Sequence, residues 1–292
     1  MKHILITGAN SYIGTSFEKY LAQWPGRYQV DTVDMVGDSW REKSFSGYDA
    51  VFHVAGIAHS DTGAVTEERK ALYYKVNTDL TVQTAKKAKA EGVEQFIFMS
   101  SAIVYGDSAP IGKSRTITAD TPLSPANFYG DSKVQAEKGI LPLSDDDFQV
   151  VVLRPPMIYG PGSKGNYPVL SKLARKLPVF PAVDNRRSML FIGNLTEFVR
   201  LMIENREAGI FWPQNAEYSN TTELVRLIAR ANGKNIVTIP GFGWALKLMS
   251  HVTGLVNKAF GSLCYDQALS CYREDYRRYT LEESIELTEG RA

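Results

Sequence analysis

The chain has only two cysteines in 292 residues, Cys264 and Cys271, which leaves no material for a disulfide framework. No histidine stands between them, so they make no zinc pattern and no metal is expected. They read as buried thiols of a reducing compartment. No run approaches the roughly 18 consecutive apolar residues of a membrane span, and the N-terminus enters the run ILIT at 4–7 without a long apolar leader. The expected location is cytoplasmic. Charge of one sign is missing too: 33 Lys and Arg against 32 Asp and Glu give a formal net charge of +1. Nothing in that balance favours nucleic acid or an anionic membrane, so an anionic ligand must be held by local groups. No internal repeat or low-complexity segment is evident.

What is present is an ordinary globular composition, 44% hydrophobic and 22% charged, in a chain long enough for two interlocked domains. The first half alternates β-branched runs with helix-patterned segments: ILIT, residues 30–33, AVFHVA from Ala50, QFIFMS from Gln95 and QVVVL from Gln149. Strands apolar along their whole length are buried on both faces, as in a parallel sheet flanked by helices. The pattern predicts a Rossmann-type, doubly wound α/β sheet over residues 1–160. Too few residues separate Asp34 from Ala50 for a full helix, strand and helix, so one unit is abbreviated. Residues 161–292 read as a smaller, mostly helical substrate lobe, with about 188–212 returning to the first domain. Strand signal there is confined to 189–192 and 236–239. From Gly241, Trp244, Leu248, Val252 and Leu255 recur at helical spacing, a stripe that suits core packing better than a membrane surface.

Three constellations carry chemistry. In TGANSYIG, Gly8 permits a tight turn after a strand and Gly14 lets helix and strand pack closely. The helix N-terminus between them offers free N–H groups to phosphate, although Ser11 occupies the place of the usual middle glycine. Asp34, at the end of the next strand, suits an adenosine ribose diol and so favours NAD, with NADP as the alternative. Taken alone, these residues fit an ordinary strand-turn-helix as well. In YGDSK, Tyr129 and Lys133 rise from one helix face. An ammonium beside a phenol favours the phenolate, which makes a tyrosine fit to exchange a proton with a sugar hydroxyl. In MSSAIVYG, Ser101 follows an apolar strand, at the sheet edge where ligands bind, and Ser100 precedes it.

In order, TGANSYIG, Asp34, HVAG, Asn77 in YKVNTD, SSAIVYG, PANFYGDSK and LRPPMIYGPG resemble the extended short-chain dehydrogenase/reductases, the NAD-dependent epimerase/dehydratase family of sugar-nucleotide enzymes. The resemblance implies that Gly8, Ala9, Asn10, Ser11, Tyr12, Ile13 and Gly14 wrap the cofactor pyrophosphate, Asp34 binds ribose and Asp38 meets adenine. It implies further cofactor contacts at Val54, Ala55, Gly56, Asn77, Ser100, Tyr129, Lys133, Pro155 and Pro156. Ser101, Tyr129 and Lys133 form the implied catalytic triad, with Lys133 also holding the nicotinamide ribose. Ala102, Met157, Lys164, Asn166, Arg187 and Arg273 are the implied substrate contacts, Arg187 suiting a diphosphate by its fork of donors. A homodimer is also implied.

Two departures narrow the reaction. Where the family's dehydratases carry an acidic pair, this chain has Ala102 and Ile103, which move no proton. Where hexose 4-epimerases usually carry asparagine, it has Met157, whose thioether donates no hydrogen bond. The expectation is an NAD-dependent C4 epimerase of a nucleoside-diphosphate sugar, UDP-linked, slightly ahead of an NAD(P)H-dependent 4-keto-sugar reductase. A catalytically silent NAD-sensing protein on the same fold is the reading from another class.

Overall fold

The computed structural model describes residues 1–58, 66–241 and 260–290. The chain opens with β1 (Lys2–Thr7), α1 (Tyr12–Leu21), β2 (Tyr28–Val33) and β3 (Ala50–His53), then α2 (Glu67–Tyr73), α3 (Leu80–Ala90) and β4 (Gln95–Met99). Next come β5 (Thr116–Ile117), α4 (Phe128–Ile140), β6 (Gln149–Leu153), β7 (Met157–Tyr159), α5 (Asn166–Lys176), β8 (Val179–Pro181) and β9 (Met189–Phe191). The remaining described elements are α6 (Ile192–Glu204), β10 (Gly209–Phe211), α7 (Thr221–Ala231), β11 (Val237–Ile239), β12 (Cys264–Tyr265) and α8 (Leu281–Thr288). They divide into two compact units: Met1–Gly106, Pro122–Pro155 and Thr196–Pro213 form the first, and Asp107–Thr121, Pro156–Leu195 and Gln214–Ala292 the second.

The first unit is built on one parallel sheet in the order β10-β6-β4-β3-β1-β2. Both parities of its central strands are buried, including Ile4, Leu5 and Ile6 of β1 and Phe96, Ile97 and Phe98 of β4. Helices therefore cover both faces, as the unbroken apolar runs predict. The chain leaves β1 toward β2 on one side and returns to β3 on the other, which makes the β1/β3 edge the topological switch point. Between β2 and β3 a single 3₁₀ turn, Ser39–Arg41, replaces the helices of a full unit. Buried Met35, Trp40 and Phe45 cover the sheet there by side-chain bulk rather than by helix length.

Among the described residues the second unit has three two-stranded parallel sheets, β11–β8, β12–β5 and β7–β9. Strands of two or three residues pair few of their own backbone groups, so side-chain amides complete the inventory. Asn215 Oδ1 accepts from Phe191 N (2.9 Å) and Asn194 Nδ2 (3.0 Å), and its Nδ2 donates to Tyr159 Oη (3.0 Å). Such strands are too short for a period-two signal, which is why 157–159, 179–181 and 264–265 escape a sequence reading. Cys264 is buried on β12, but Cys271 is exposed just after the 3₁₀ turn Gln267–Ser270, correcting the expectation of two buried thiols. The stripe from Trp244 to Leu255 lies outside the described residues. No described helix is long and apolar enough to cross a membrane.

Candidate active site

The parallel register lines up the strand ends. Thr7 stands opposite both Val33 and His53, His53 opposite Phe98, and Met99 opposite Leu153. Gly8, Asp34, Val54, Ser100 and Arg154, each the next residue along, therefore share the carboxyl edge of the sheet.

At the switch point Gly8 has φ 88°, and a Cβ there would lie 3.0 Å from the backbone N and Cα of Ala55. Only glycine fits. Ala9 follows, and Asn10 turns through φ 63°, a left-handed conformation that asparagine tolerates. Ser11 caps α1, its Oγ accepting from Gly14 N at 3.2 Å. The hydroxyl proton of Ser11 is still available to a phosphate. A Cβ on Gly14 would come within 2.7 Å of that Oγ and 3.1 Å of Ile6, so the packing role expected of Gly14 is visible. Tyr12 and Ile13 open the helix, where N–H groups lack intrahelical acceptors. Tyr12 Oη is buried with no hydrogen-bond partner among the described residues, and burial raises its pKa. A glycine cradle leading into a helix N-terminus with free N–H groups and a cap hydroxyl fits a dinucleotide pyrophosphate. Asp34 is exposed and accepts from Val36 N (3.0 Å), while exposed Asp38 pairs with Arg41 (3.0 Å).

Asn77 joins two of the sequence-predicted segments. It lies in a π-helical turn, Tyr74–Asp79, between α2 and α3, and widening of this kind recurs at functional sites. Its Oδ1 accepts from Ile57 N (2.8 Å), and its Nδ2 donates to Ile57 O (3.1 Å) and Ser132 Oγ (3.0 Å). The Val54–Ala55–Gly56 loop is thereby tied to α4. A Cβ on Gly56 would lie 3.1 Å from Asn77 Oδ1 and 3.3 Å from Lys133 Nζ.

Helix α4 starts at the cap Asn127, whose Oδ1 accepts from Gly130 N (2.9 Å), so Tyr129 stands in its first turn and Lys133 one turn on. A Cβ on Gly130 would come 2.9 Å from Ile103 O, so the Ser101 segment packs directly on that first turn. Ser101 caps the 3₁₀ turn Ala102–Tyr105, accepting from Ile103 N at 3.3 Å. The half-buried ring of Tyr129 packs edge-on against buried Tyr73, with centroids 5.9 Å apart. Lys133 Nζ donates to Met99 O (2.9 Å) and lies 4.7 Å from the centre of the Phe98 ring. Burial pushes the Lys133 pKa down to about 8 against the opposing pull of the Glu137 carboxylate.

Sequence reasoning missed the group that holds these parts together. Glu137, one turn beyond Lys133 and 1% exposed, accepts from Arg154 Nε (3.2 Å) and Nη2 (2.6 Å), and Ser100 Oγ donates to the same carboxylate. Arg154 Nη1 and Trp212 Nε1 each reach Tyr105 Oη at 2.7 Å. Burial alone would lower the Arg154 pKa, but Glu137 and Tyr105 outweigh it and raise the guanidinium above its usual value. Two backbone bonds finish the frame: Ser100 N to Leu153 O (2.8 Å) and Ala102 N to Pro155 O (2.9 Å). The Glu137 carboxylate thus links α4, the Ser100–Ala102 loop and the end of β6. A glutamate four residues after Lys133 and an arginine closing an apolar strand were the available signals.

His53 is the other buried ionisable group. Thr81 Oγ1 donates to Asn77 O (2.8 Å) and therefore accepts from His53 Nε2 (3.0 Å), which leaves Nδ1 to accept from Thr7 Oγ1 (2.7 Å). Desolvation, helped by Lys133, lowers its pKa to about 3, so the ring is neutral.

The implied substrate residues divide between the units. Ala102 is buried in the first. In the second, Met157 starts β7 opposite Met189, next to the half-buried Pro156 implied for the cofactor, and Lys164 and Asn166 are exposed at the start of α5. Arg187 is half-buried, its backbone paired with Ser219 (2.9 Å), and desolvation lowers its guanidinium pKa. Arg273 is exposed, its guanidinium 5.6 Å from the centre of the Tyr272 ring.

A switch-point glycine loop beside a serine, tyrosine and lysine set defines a nucleotide-cofactor enzyme of the short-chain dehydrogenase type. The sequence profile of the NAD dependent epimerase/dehydratase family matches residues 4–211, and the chain belongs to that family of NAD(P)-dependent enzymes. It is similar to UDP-glucose 4-epimerase of Vibrio cholerae, with 32% identity over 91% of this chain and 87% of the relative. It is also similar to the N-acetyl-alpha-D-glucosaminyl-diphospho-ditrans,octacis-undecaprenol 4-epimerase of Escherichia coli O157:H7, with 26% identity over 86% and 81% of the two chains. Among solved structures, UDP-glucuronic acid 4-epimerase from Bacillus cereus in complex with NAD superposes with a TM-score of 0.72, 17% identity and coverage of 99% and 98%. The chain is thus a sugar-nucleotide epimerase or reductase by class.

Proposed function

We propose that the protein is an NAD-dependent C4 epimerase of a UDP-linked sugar, acting in the cytoplasm as a homodimer. The observation that carries the reading is the Ser101, Tyr129 and Lys133 set with apolar Ala102 and Ile103 in place of a dehydratase's acids. Two 4-epimerases of nucleotide- or diphosphate-linked sugars among its relatives support it.

In this reading Gly8, Ala9, Asn10, Ser11, Tyr12, Ile13 and Gly14 hold the pyrophosphate of NAD, and Asp34 and Asp38 its adenosine. Val54, Ala55, Gly56, Asn77, Ser100, Pro155 and Pro156 line the rest of the cofactor. NAD bound there would supply the hydride-transfer chemistry at C4 of the sugar. Tyr129 would take the proton of the sugar's C4 hydroxyl on oxidation at C4 and would return it to the C4 oxygen when the ketone is reduced on its opposite face. Ser101 hydrogen-bonds the same oxygen and holds it at Tyr129. The Lys133 ammonium, one turn along the same face, stabilises the phenolate charge. Met157, Lys164, Asn166, Arg187 and Arg273 serve the nucleotide-sugar, with Arg187 on its diphosphate.

The test is turnover of UDP-hexoses by the purified protein with absorbance at the reduced-nicotinamide band. Interconversion of C4 epimers with no net NADH change is expected, and Tyr129→Phe should lower the rate about 10²–10⁴-fold with the fold intact. Stoichiometric NAD(P)H consumption on a 4-keto substrate would make the protein a reductase instead. Full activity in Tyr129→Phe would remove the acid/base assignment.

A further inference from the structure

The balanced net charge hides a local asymmetry in the second unit. Ten large hydrophobic side chains are exposed among the described residues, and six belong to one region: Val169, Leu173, Leu177, Val179, Val237 and Ile239. Single exposed apolar residues need no explanation, but a concentration of them marks a contact surface. Val237 is 62% exposed and Val169 58%. On α5 the exposed positions Val169, Lys172, Leu173 and Lys176 follow helical spacing, while Tyr167, Leu170, Ser171 and Ala174 face inward. In the small sheet Val237 stands opposite Val179 and Ile239 opposite Pro181, whereas Phe180 between them is buried. Hydrogen bonds make these pieces one surface. Val237 N donates to Pro178 O (3.0 Å), and Lys234 Nζ donates to Arg175 O.

The charge of the same region is predominantly basic. Residues 162–183 and 224–241 contain seven Lys and Arg and no Asp or Glu. Of the carboxylates around these stretches, Glu289 accepts from Tyr167, Ser171 and Asn232 on the buried side of α5, Glu282 pairs with Arg230 (3.0 Å), and Asp184 and Glu223 are exposed at their ends. The helix dipole accounts for Arg175 and Lys176 near the C-terminus of α5, but not for Lys172 or for the exposed valines.

We propose that this face, formed by α5, β8 and β11, docks on the surface of an anionic phospholipid bilayer. The apolar side chains enter the boundary between headgroups and acyl chains, and Lys172, Arg175, Lys176 and Lys234 meet the lipid phosphates while their alkyl stems cover the same boundary. A bilayer presents an apolar layer directly beneath an anionic one, matching this interleaving. A protein partner matches it less well, because the cores of protein interfaces are poor in lysine and rich in aromatics, and none of the six apolar side chains here is aromatic.

The experiment is co-sedimentation of the full chain with vesicles of phosphatidylglycerol mixed into phosphatidylcholine, against phosphatidylcholine alone. Binding to the mixed vesicles, weakened by salt, is expected. Each basic residue near an anionic surface contributes about 1 kcal/mol, so K172A with K176A should lower the partition about 25-fold. L173S with V237S should also lower it, and at every salt concentration. Solution turnover of all variants should match the parent, since none of these residues is in the catalytic or binding machinery. Failure to sediment with mixed vesicles overturns the proposal, as does unchanged binding by both double variants. Loss of self-association in L173S with V237S, without loss of lipid binding, would make the face a contact between copies and also overturn it.

Discussion

The two units bury polarity in opposite ways. Among the described residues the buried charged side chains are Lys133, Glu137, Arg154 and Glu197, and all four lie in the first unit. Glu197 is paired with Arg200 (2.6 Å) away from the site, and the other three surround it. Among the described residues of the second unit, the polar side chains buried to that degree are neutral, Asn185, Ser188, Asn194, Gln214 and Asn215 among them, while Arg187 is half-buried. Amides and hydroxyls suffice to close the backbone of short strands. Ions are retained where α4, the Ser100–Ala102 loop and the end of β6 are held in one register, because a buried ion pair has few alternative arrangements and is costly to break.

The largest expected effect tests that contrast directly. Glu137→Ala leaves Arg154 buried without its carboxylate and should cost about 3–5 kcal/mol in urea unfolding. The milder Glu137→Gln should remain folded yet lose turnover, because the Ser100–Ala102 loop loses its charged anchor. Unchanged kcat in a folded Glu137→Gln would reduce the network to a structural pair. A second effect is confined to acid. His53 is neutral with a pKa of about 3, below its ordinary 6.5, so the unfolded chain binds more protons between those values. Stability present above pH 6.5 should therefore fall as pH drops, by up to about 1.4 kcal/mol per pH unit. His53→Gln should flatten that slope in unfolding curves taken from pH 6.5 to 4.5.

In the neutral unit Asn215→Ala removes bonds to Phe191, Asn194 and Tyr159 and should cost about 1–3 kcal/mol. A loss as large as that of Glu137→Ala would erase the distinction between the units. The smallest effect is expected of Ser11→Gly, which exchanges one acceptable helix cap for another at a few tenths of a kcal/mol. Calorimetric titration should show NAD affinity nearly unchanged. A collapse of binding would make the Ser11 hydroxyl a required phosphate donor.

Much of the first unit was legible because a buried parallel strand must be apolar along its length, and such runs at β1, β3, β4 and β6 need no partner to be recognised. Gly8 and Gly14 were legible for a local reason as well, since each answers a close approach by a neighbouring segment. The abbreviated segment before β3 was predictable from length alone, but its replacement by the buried Trp40 was not. In the second unit the runs at 189–192 and 236–239 were legible as β9 and β11, whereas β5, β7, β8 and β12 stayed hidden because two or three residues carry no periodicity and their pairing partners are distant in the chain.

By itself the sequence determined the sheet, the glycine loop and the spacing of Tyr129 and Lys133, all of which depend on residues near one another along the chain. Only the tertiary structure decided that Asn77 would clamp Gly56–Ile57 to α4, that Glu137 would join Ser100 to Arg154, and that Lys133 would be buried. Each of these depends on groups brought together from several elements, where burial strengthens electrostatic interactions and makes an unpartnered charge costly. Local pattern specifies which groups are available, and packing selects which of them meet.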